Sequence, residues 1–401
     1  MLADNCTTLS SRLPLRHCGR SSRSVSFMPT PNSPPFQFPF QRPELPPLEA
    51  WAPSLGAAYA THRFSNYGQL ALQLEDRLSE RLGRHVVMAA NGTAAITAAL
   101  LALGRSGGVI LPSFTFPATL GAVLQAGLEP VLADVNPQTW ELDVATIEAA
   151  ADAYGRPLAA VLGVRTFGLC RDWAAVQTWC ETQGVPLILD SAAALGGRLP
   201  GGSPVGRQGR METFSLHATK VFAVGEGGAI ACEPQDVDAL RRVMNFGLQD
   251  GQLRGWGFNG KMSEFTAAIG LAQNAVFDAQ LQERRAAAAA YANLLSVEAP
   301  DWRLACTPGD PPWQAYPVLA PTPELADRFC ISAAQQNVQT RRYYRPVLHT
   351  TPDIARYAYG KQLPISEDLS DRIVCLPMYS RWCEGEKDAL LELARQAIRG
   401  L

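Results

Sequence analysis

The chain has 401 residues, 47% of them apolar and 18% charged, and a net charge of −2. That balance is ordinary for a globular protein with a sizeable core, in two domains or one large domain with a smaller companion. It leaves no footprint for nucleic acid or an anionic membrane, and no apolar run approaches the roughly 20 residues that would span a bilayer.

The first 27 residues carry four arginines (12, 16, 20 and 23), many serines and only Asp4 as an acid. Such an end suits either an organelle transit peptide or a start assigned too far upstream, with Met28 the initiator. From Pro29 to Pro47 the chain is proline-rich, so residues 1–47 are expected to form an extended or disordered tail. Leu70, Leu74, Leu78 and Leu82 then make a helical stripe that stops at Gly83, a natural C-terminal glycine. "HVVMAA" predicts a strand and "AAITAALLALG" a helix. The apolar runs "GVILP", "PVLADV", "AAVLGV", "VPLILD" and "GAIAC" predict further strands, several separated by helical segments such as "LDVATIEAAADAYG" and "RDWAAVQTWCETQG". Buried strands alternating with helices predict an α/β domain over 48–275 with a mostly parallel sheet. The stretch beginning "SEFTAAIGLAQ" predicts a long bridging helix. After about residue 300, "WQAYPVLA" and "RIVCLPM" with polar helices between them predict a small α+β domain, so that 276–401 holds the bridge and that domain. The nine cysteines (6, 18, 170, 180, 232, 306, 330, 375 and 383) are scattered without a CxxC pair. This pattern predicts reduced thiols in a cytoplasmic protein, with no disulfide framework and no metal site.

Four places could carry chemistry. In "FSLHATKVFAVGEGG" a lysine, Lys220, lies in apolar surroundings. Its glycines come after it and Val221 is its immediate neighbour, which is the reverse of a phosphate-cradling P-loop. Asn91-Gly92-Thr93 stands where a strand gives way to a helix. Free N–H groups there bind anions, although Asn and Thr are equally good plain caps. Asp190 ends the apolar strand "VPLILD", at the edge where open α/β sheets bind ligands, or it caps the turn after that strand. Phe114 and Phe116 come after another strand and could stack on a flat ligand, but on the residues alone core packing is the better reading. Taken together, an apolar lysine, a strand-end carboxylate, an anion cradle and an aromatic match pyridoxal 5′-phosphate (PLP), which has an aldehyde, a ring nitrogen and a phosphate. A Schiff base would also explain a buried lysine, because the amine is then covalently capped rather than charged.

Across most of its length the sequence resembles the DegT-type, PLP-dependent sugar-nucleotide aminotransferases of aspartate aminotransferase fold (fold type I). The matches run in order from about residue 60: "SNYGQLALQLEDRL", "NGTAAITAALLALG", "LPSFTFPAT", "ILDSAAALGG", "FSLHATK", "GEGGAI", "GFNGKMSEFTAAIGLAQ" and "VCLPM". The resemblance implies that Lys220 forms the Schiff base, Asp190 partners the pyridine nitrogen and Phe116 stacks on the ring. Thr93, Ala94 and Ser215 would hold the phosphate. Asn259 would reach the phosphate of a neighbouring subunit in a homodimer with shared sites. His349, in "YYRPVLH", falls where the family often meets substrate, and His217 is expected to pack beside the lysine without a chemical role. The implied reaction moves an amino group from an amino acid, glutamate, to a nucleotide-linked keto-sugar, best matched by a dTDP-4-keto-6-deoxyhexose. Relatives that dehydrate sugars replace the lysine with histidine, so Lys220 argues against that alternative, and the intact Lys220, Asp190 and Ser215 argue against a non-catalytic regulator. Three positions depart from the common pattern: Ala193 stands where many relatives have glutamine, Val221 where many have asparagine, and Lys261 where arginine is frequent.

Overall fold

A computed structural model describes residues 36–401. Seven strands form the main sheet: β1 (His85–Ala89), β2 (Gly108–Pro112), β3 (Glu129–Ala133), β4 (Leu158–Val164), β5 (Leu187–Asp190), β6 (Met211–Ser215) and β7 (Gly228–Cys232). Their order is β1-β7-β6-β5-β4-β2-β3. Only β7 runs against its neighbours β1 and β6, and every other pair is parallel. This is the mostly parallel α/β sheet expected of fold type I.

Both faces of the sheet are covered, which is why its strands read as unbroken apolar runs. Alternate residues serve opposite faces. Val87 and Ala89 of β1, with Ala160 and Leu162 of β4, pack on the helices Gly92–Ala102, Pro117–Gln125 and Val237–Met244. Val86 and Met88 face the helix Gln69–Leu82 and the first half of the long helix Glu264–Glu298, while Val161 faces the helices Val144–Tyr154 and Ala174–Thr182. Local signals set the helix ends. Gln69–Leu82 stops at Gly83, whose φ of 64° only glycine adopts without strain. Asp143 and Thr146 form a reciprocal capping box at the start of Val144–Tyr154.

The expected boundary at 275 falls inside the long helix. Its first half (Ala267, Phe277, Leu281) belongs to the sheet's core. Its second half (Ala287, Tyr291, Leu295) packs on a two-stranded antiparallel sheet of Tyr316–Leu319 and Ile373–Leu376, with the helices Pro323–Gln335 and Glu386–Arg399. One continuous helix therefore serves two cores.

The tail expectation needs correction at its end. Residues 36–47 are extended but not loose. Phe38 is 1% exposed in the second core and exchanges backbone hydrogen bonds with Asn337 and Gln339 at 3.0 and 2.9 Å. Phe40 is also buried, and Arg42 pairs with Glu386 at 2.5 Å. Prolines exclude a helix here, yet the alternating phenylalanines of "FQFPF" supply the apolar surface that anchors the strand-like run. The expectations for residues 1–27 lie outside the described residues. Among the described residues no helix is long and apolar enough to cross a membrane, and no cluster of His, Cys, Asp or Glu could hold a metal.

Candidate active site

The parallel strands end along one edge, and there the sequence's scattered candidates converge. β1 and β6 lie on either side of β7, so the turn after β1 comes down beside the end of β6. Gly92 makes this approach possible: a Cβ on it would come within 2.7 Å of the Ser215 Cβ. Gly228 is equally constrained, since a Cβ there would meet the Asn91 carbonyl oxygen at 2.3 Å. The result is a pinch in which the hydroxyl-bearing Ser215 faces the start of the helix Gly92–Ala102. The first N–H groups of a helix have no partner within it and carry its positive dipole end. Of the two readings of Asn91-Gly92-Thr93, the cap is the one the geometry shows. The Asn91 side chain caps the helix by accepting from Ala94 N–H at 2.8 Å, while Gly92 and Thr93 begin it. Ala94, expected to help hold a phosphate, gives its N–H to this cap.

Asp190 ends β5 and is buried. One carboxylate oxygen accepts from the Thr119 hydroxyl at 2.8 Å and the other from Ala192 N–H at 3.1 Å. Burial raises its pKa, and these hydrogen bonds and the charge of Lys220 oppose the rise. Thr119 lies in the first turn of the helix Pro117–Gln125, where its N–H bonds the Phe116 carbonyl at 3.1 Å. Phe116 therefore opens the same turn that holds Asp190, and its ring is 55% exposed. Phe114 is fully buried and packs edge-on against Phe167 and Tyr344. The core reading is right for Phe114, whereas Phe116 keeps its ring open to solvent.

Lys220 lies in the turn between β6 and β7, where its N–H bonds the His217 carbonyl at 2.8 Å. Burial brings its amine down to a pKa of about 8, with Asp190 pulling the other way. The amine donates to Gln314 Oε1 at 3.1 Å. A small cavity beside it is lined by Phe40, Arg42, Glu44, Arg284, Gln314 and Ser380. His217 turns its ring to the Thr219 hydroxyl at 2.8 Å.

Two expected residues make no hydrogen bond to Lys220 or Asp190. His349 is held between Ser113 at 2.7 Å and Glu367 at 3.0 Å, with no contact to Lys220. Asn259 is exposed and bridges to Asn245, on a segment that also exposes Phe246, Leu253 and Trp256. Other residues gave no sequence signal. Gln314 and Thr119 lie far along the chain from the groups they touch. Arg165 and Glu212 form an ion pair at 2.7 Å with both side chains wholly buried. Glu212 accepts from the Ser191 hydroxyl at 2.5 Å, so the pair is tied by one side-chain bond to the turn after Asp190, while the backbone N–H of Arg165 separately bonds the Asp190 carbonyl at 3.0 Å.

The model of the DegT/DnrJ/EryC1/StrS aminotransferase family matches residues 52–393. The chain belongs to that family. It is 32% identical to a dTDP-4-amino-4,6-dideoxy-D-glucose transaminase from Shigella dysenteriae, over 84% of this chain and 93% of that enzyme. Among solved structures it is similar to DesI, crystallised with its TDP-sugar product, with a TM-score of 0.81 and 31% identity over 91% of this chain and 95% of that one. It is also similar to NtdA from Bacillus subtilis with bound PMP, at TM-score 0.79 and 26% identity, covering 91% and 88% of the two chains. The chain is thus a PLP-dependent aminotransferase of fold type I.

The residues present fit that cofactor. A lysine with its pKa brought down to about 8 suits Schiff-base formation. A buried carboxylate within its electrostatic reach suits a ring nitrogen, and the Gly92–Ser215 pinch, which a Cβ would fill, suits a phosphate.

Proposed function

We propose that this protein transfers an amino group from glutamate to a nucleotide-linked keto-sugar, with a dTDP-4-keto-6-deoxyhexose as the best match. What carries the reading is the Lys220–Asp190 pair beside the Gly92–Ser215 cradle, a lysine and a carboxylate buried in mutual electrostatic reach. The similarity to the Shigella transaminase over 93% of its length supports the choice of sugar.

In this reading Lys220 binds the cofactor through its amine and, when released, moves a proton at the carbon that gains or loses the amino group. Asp190 holds a proton on the ring nitrogen, and Phe116 lies against the ring. Gly92, Thr93 and Ser215 bind the phosphate. When bound, PLP supplies an electron sink that stabilises negative charge on the substrate carbon. Asn259 would complete the phosphate site of a second copy in a homodimer, which agrees with its exposure and its lack of contacts to the lysine of its own chain.

The test is a panel of dTDP-, UDP- and GDP-linked keto-sugars incubated with glutamate, with products read by mass. Conversion of a keto-sugar to its amino-sugar is expected, strongest for a dTDP-4-keto-6-deoxyhexose. Borohydride should fix the cofactor on Lys220. Loss of water from a sugar without gain of nitrogen, or an adduct on another lysine, would defeat the reading.

A further inference from the structure

Gln314 is the only side chain hydrogen-bonded to the Lys220 amine among the described residues. It reaches that position from outside the main sheet, on the approach to the small-sheet strand Tyr316–Leu319. Its placement is enforced from behind. Arg284 of the long helix donates to the Trp313 carbonyl at 2.9 Å and to the Gln314 carbonyl at 3.4 Å, and its Nε donates to the Ser380 hydroxyl at 2.6 Å. A buried guanidinium spent on two successive backbone carbonyls fixes the direction in which the Gln314 side chain leaves the chain. The amide's orientation is also determined, because an ammonium only donates and so must meet the amide's oxygen.

We propose that Gln314 governs the protonation of the reactive nitrogen: its side-chain oxygen accepts from the N–H of Lys220 Nζ and favours the protonated form, both in the free amine and in the nitrogen linked to the cofactor. The inference rests on Lys220 being the linking residue. A hydrogen bond accepted from a charged group favours that charged form, and the effect grows where water is excluded. The other charged and titratable groups facing this nitrogen are few. Asp190, at the end of β5, favours the protonated form through its charge. Arg284 of the long helix and Arg42 of the extended segment 36–47 line the cavity beside it, as does Glu44 with the opposite charge. His217 is turned to Thr219, with Glu226 at 3.6 Å. None of these touches Nζ. Gln314 does, so it has the most direct control.

The experiment is a pH titration of the visible absorbance of the PLP-bound protein without amino donor, for wild type, Gln314→Leu and Gln314→Glu. Gln314→Leu removes the acceptor and should lower the spectroscopic midpoint by about one pH unit, the size expected for one charge-assisted hydrogen bond. Gln314→Glu places a carboxylate at the same atom and should raise it. Midpoints unchanged in both variants, with borohydride still fixing cofactor on Lys220, would overturn the inference while leaving the function intact. An adduct elsewhere in wild type would instead remove Lys220 and the function with it. If Gln314→Leu does not fold, the sign of the shift in Gln314→Glu decides.

Discussion

A lysine amine is a nucleophile only when neutral, and at its ordinary pKa of 10.5 very few molecules are neutral near pH 7. In this protein burial brings the Lys220 amine to about 8, so roughly a tenth is neutral at pH 7. Capture of PLP by the cofactor-free protein should therefore quicken about tenfold per pH unit at first and level off above pH 8, as read by stopped-flow absorbance. The sign of the Asp190 contribution gives a second check. Its negative charge favours the ammonium and so holds the lysine pKa up. Asp190→Asn should move the inflection to lower pH while reducing transamination by orders of magnitude, since no charge then keeps the ring nitrogen protonated. A plateau displaced upward would mean that Asp190 does not act on the lysine through its charge. Both residues are legible in the sequence because their chemistry is local: a lysine among apolar residues and a carboxylate closing an apolar strand. Gln314 is not, because a glutamine before a strand has no pattern of its own and its meaning comes from a contact 94 residues away.

Strand β6 shows how an element escapes pattern reading. "METFS" places Glu212 in mid-strand, which interrupts the apolar run by which β2, β4 and β5 announce themselves. The charge can be buried because Arg165, directly after β4, pairs with it and the Ser191 hydroxyl and the Gly206 N–H donate to it. A partner 47 residues distant is invisible to periodicity. The arrangement has an energetic consequence. Removing one member of a buried pair leaves the other charge stranded, at about 3–5 kcal/mol, whereas replacing both with apolar side chains of similar volume is often neutral. Glu212→Ala should thus lower the unfolding free energy by about 3–5 kcal/mol, and the double variant Arg165→Met/Glu212→Leu should recover most of that loss in urea denaturation. Because Glu212 also holds the Ser191 hydroxyl, next in the chain to Asp190, the double variant should be stable yet bind PLP more weakly than wild type. Wild-type cofactor affinity in the double variant would show that the pair serves stability alone.

At the scale of the molecule, the alternation of apolar strands and helices makes the sheet and its two covered faces legible. The extended segment 36–47 escapes a reading by composition, because its prolines mask the anchoring role of the buried Phe38 and Phe40. What a single chain leaves open is its own surface. Segment 246–261 exposes Phe246, Leu253 and Trp256, and carries Asn259. Beneath it the Lys261 amine lies 4.2 Å from the centre of the Phe246 ring with no hydrogen-bond partner among the described residues. Exposed aromatics in such density on one segment suit contact with another protein surface. If that surface is a second copy whose cradle receives Asn259, each site draws on two chains: Lys220 from one and Asn259 from the other. Lys220→Ala and Asn259→Asp homodimers should then both be inactive, the first for want of the amine and the second because a carboxylate would face the phosphate. Mixed under conditions where subunits exchange, they should regain up to about a quarter of wild-type activity per site. Half the dimers are then hybrids in random assortment, and each hybrid has one site with both residues intact. Exchange is monitored by mass spectrometry of the intact dimers. Proven hybrids without recovered turnover would place Asn259 outside the partner's site.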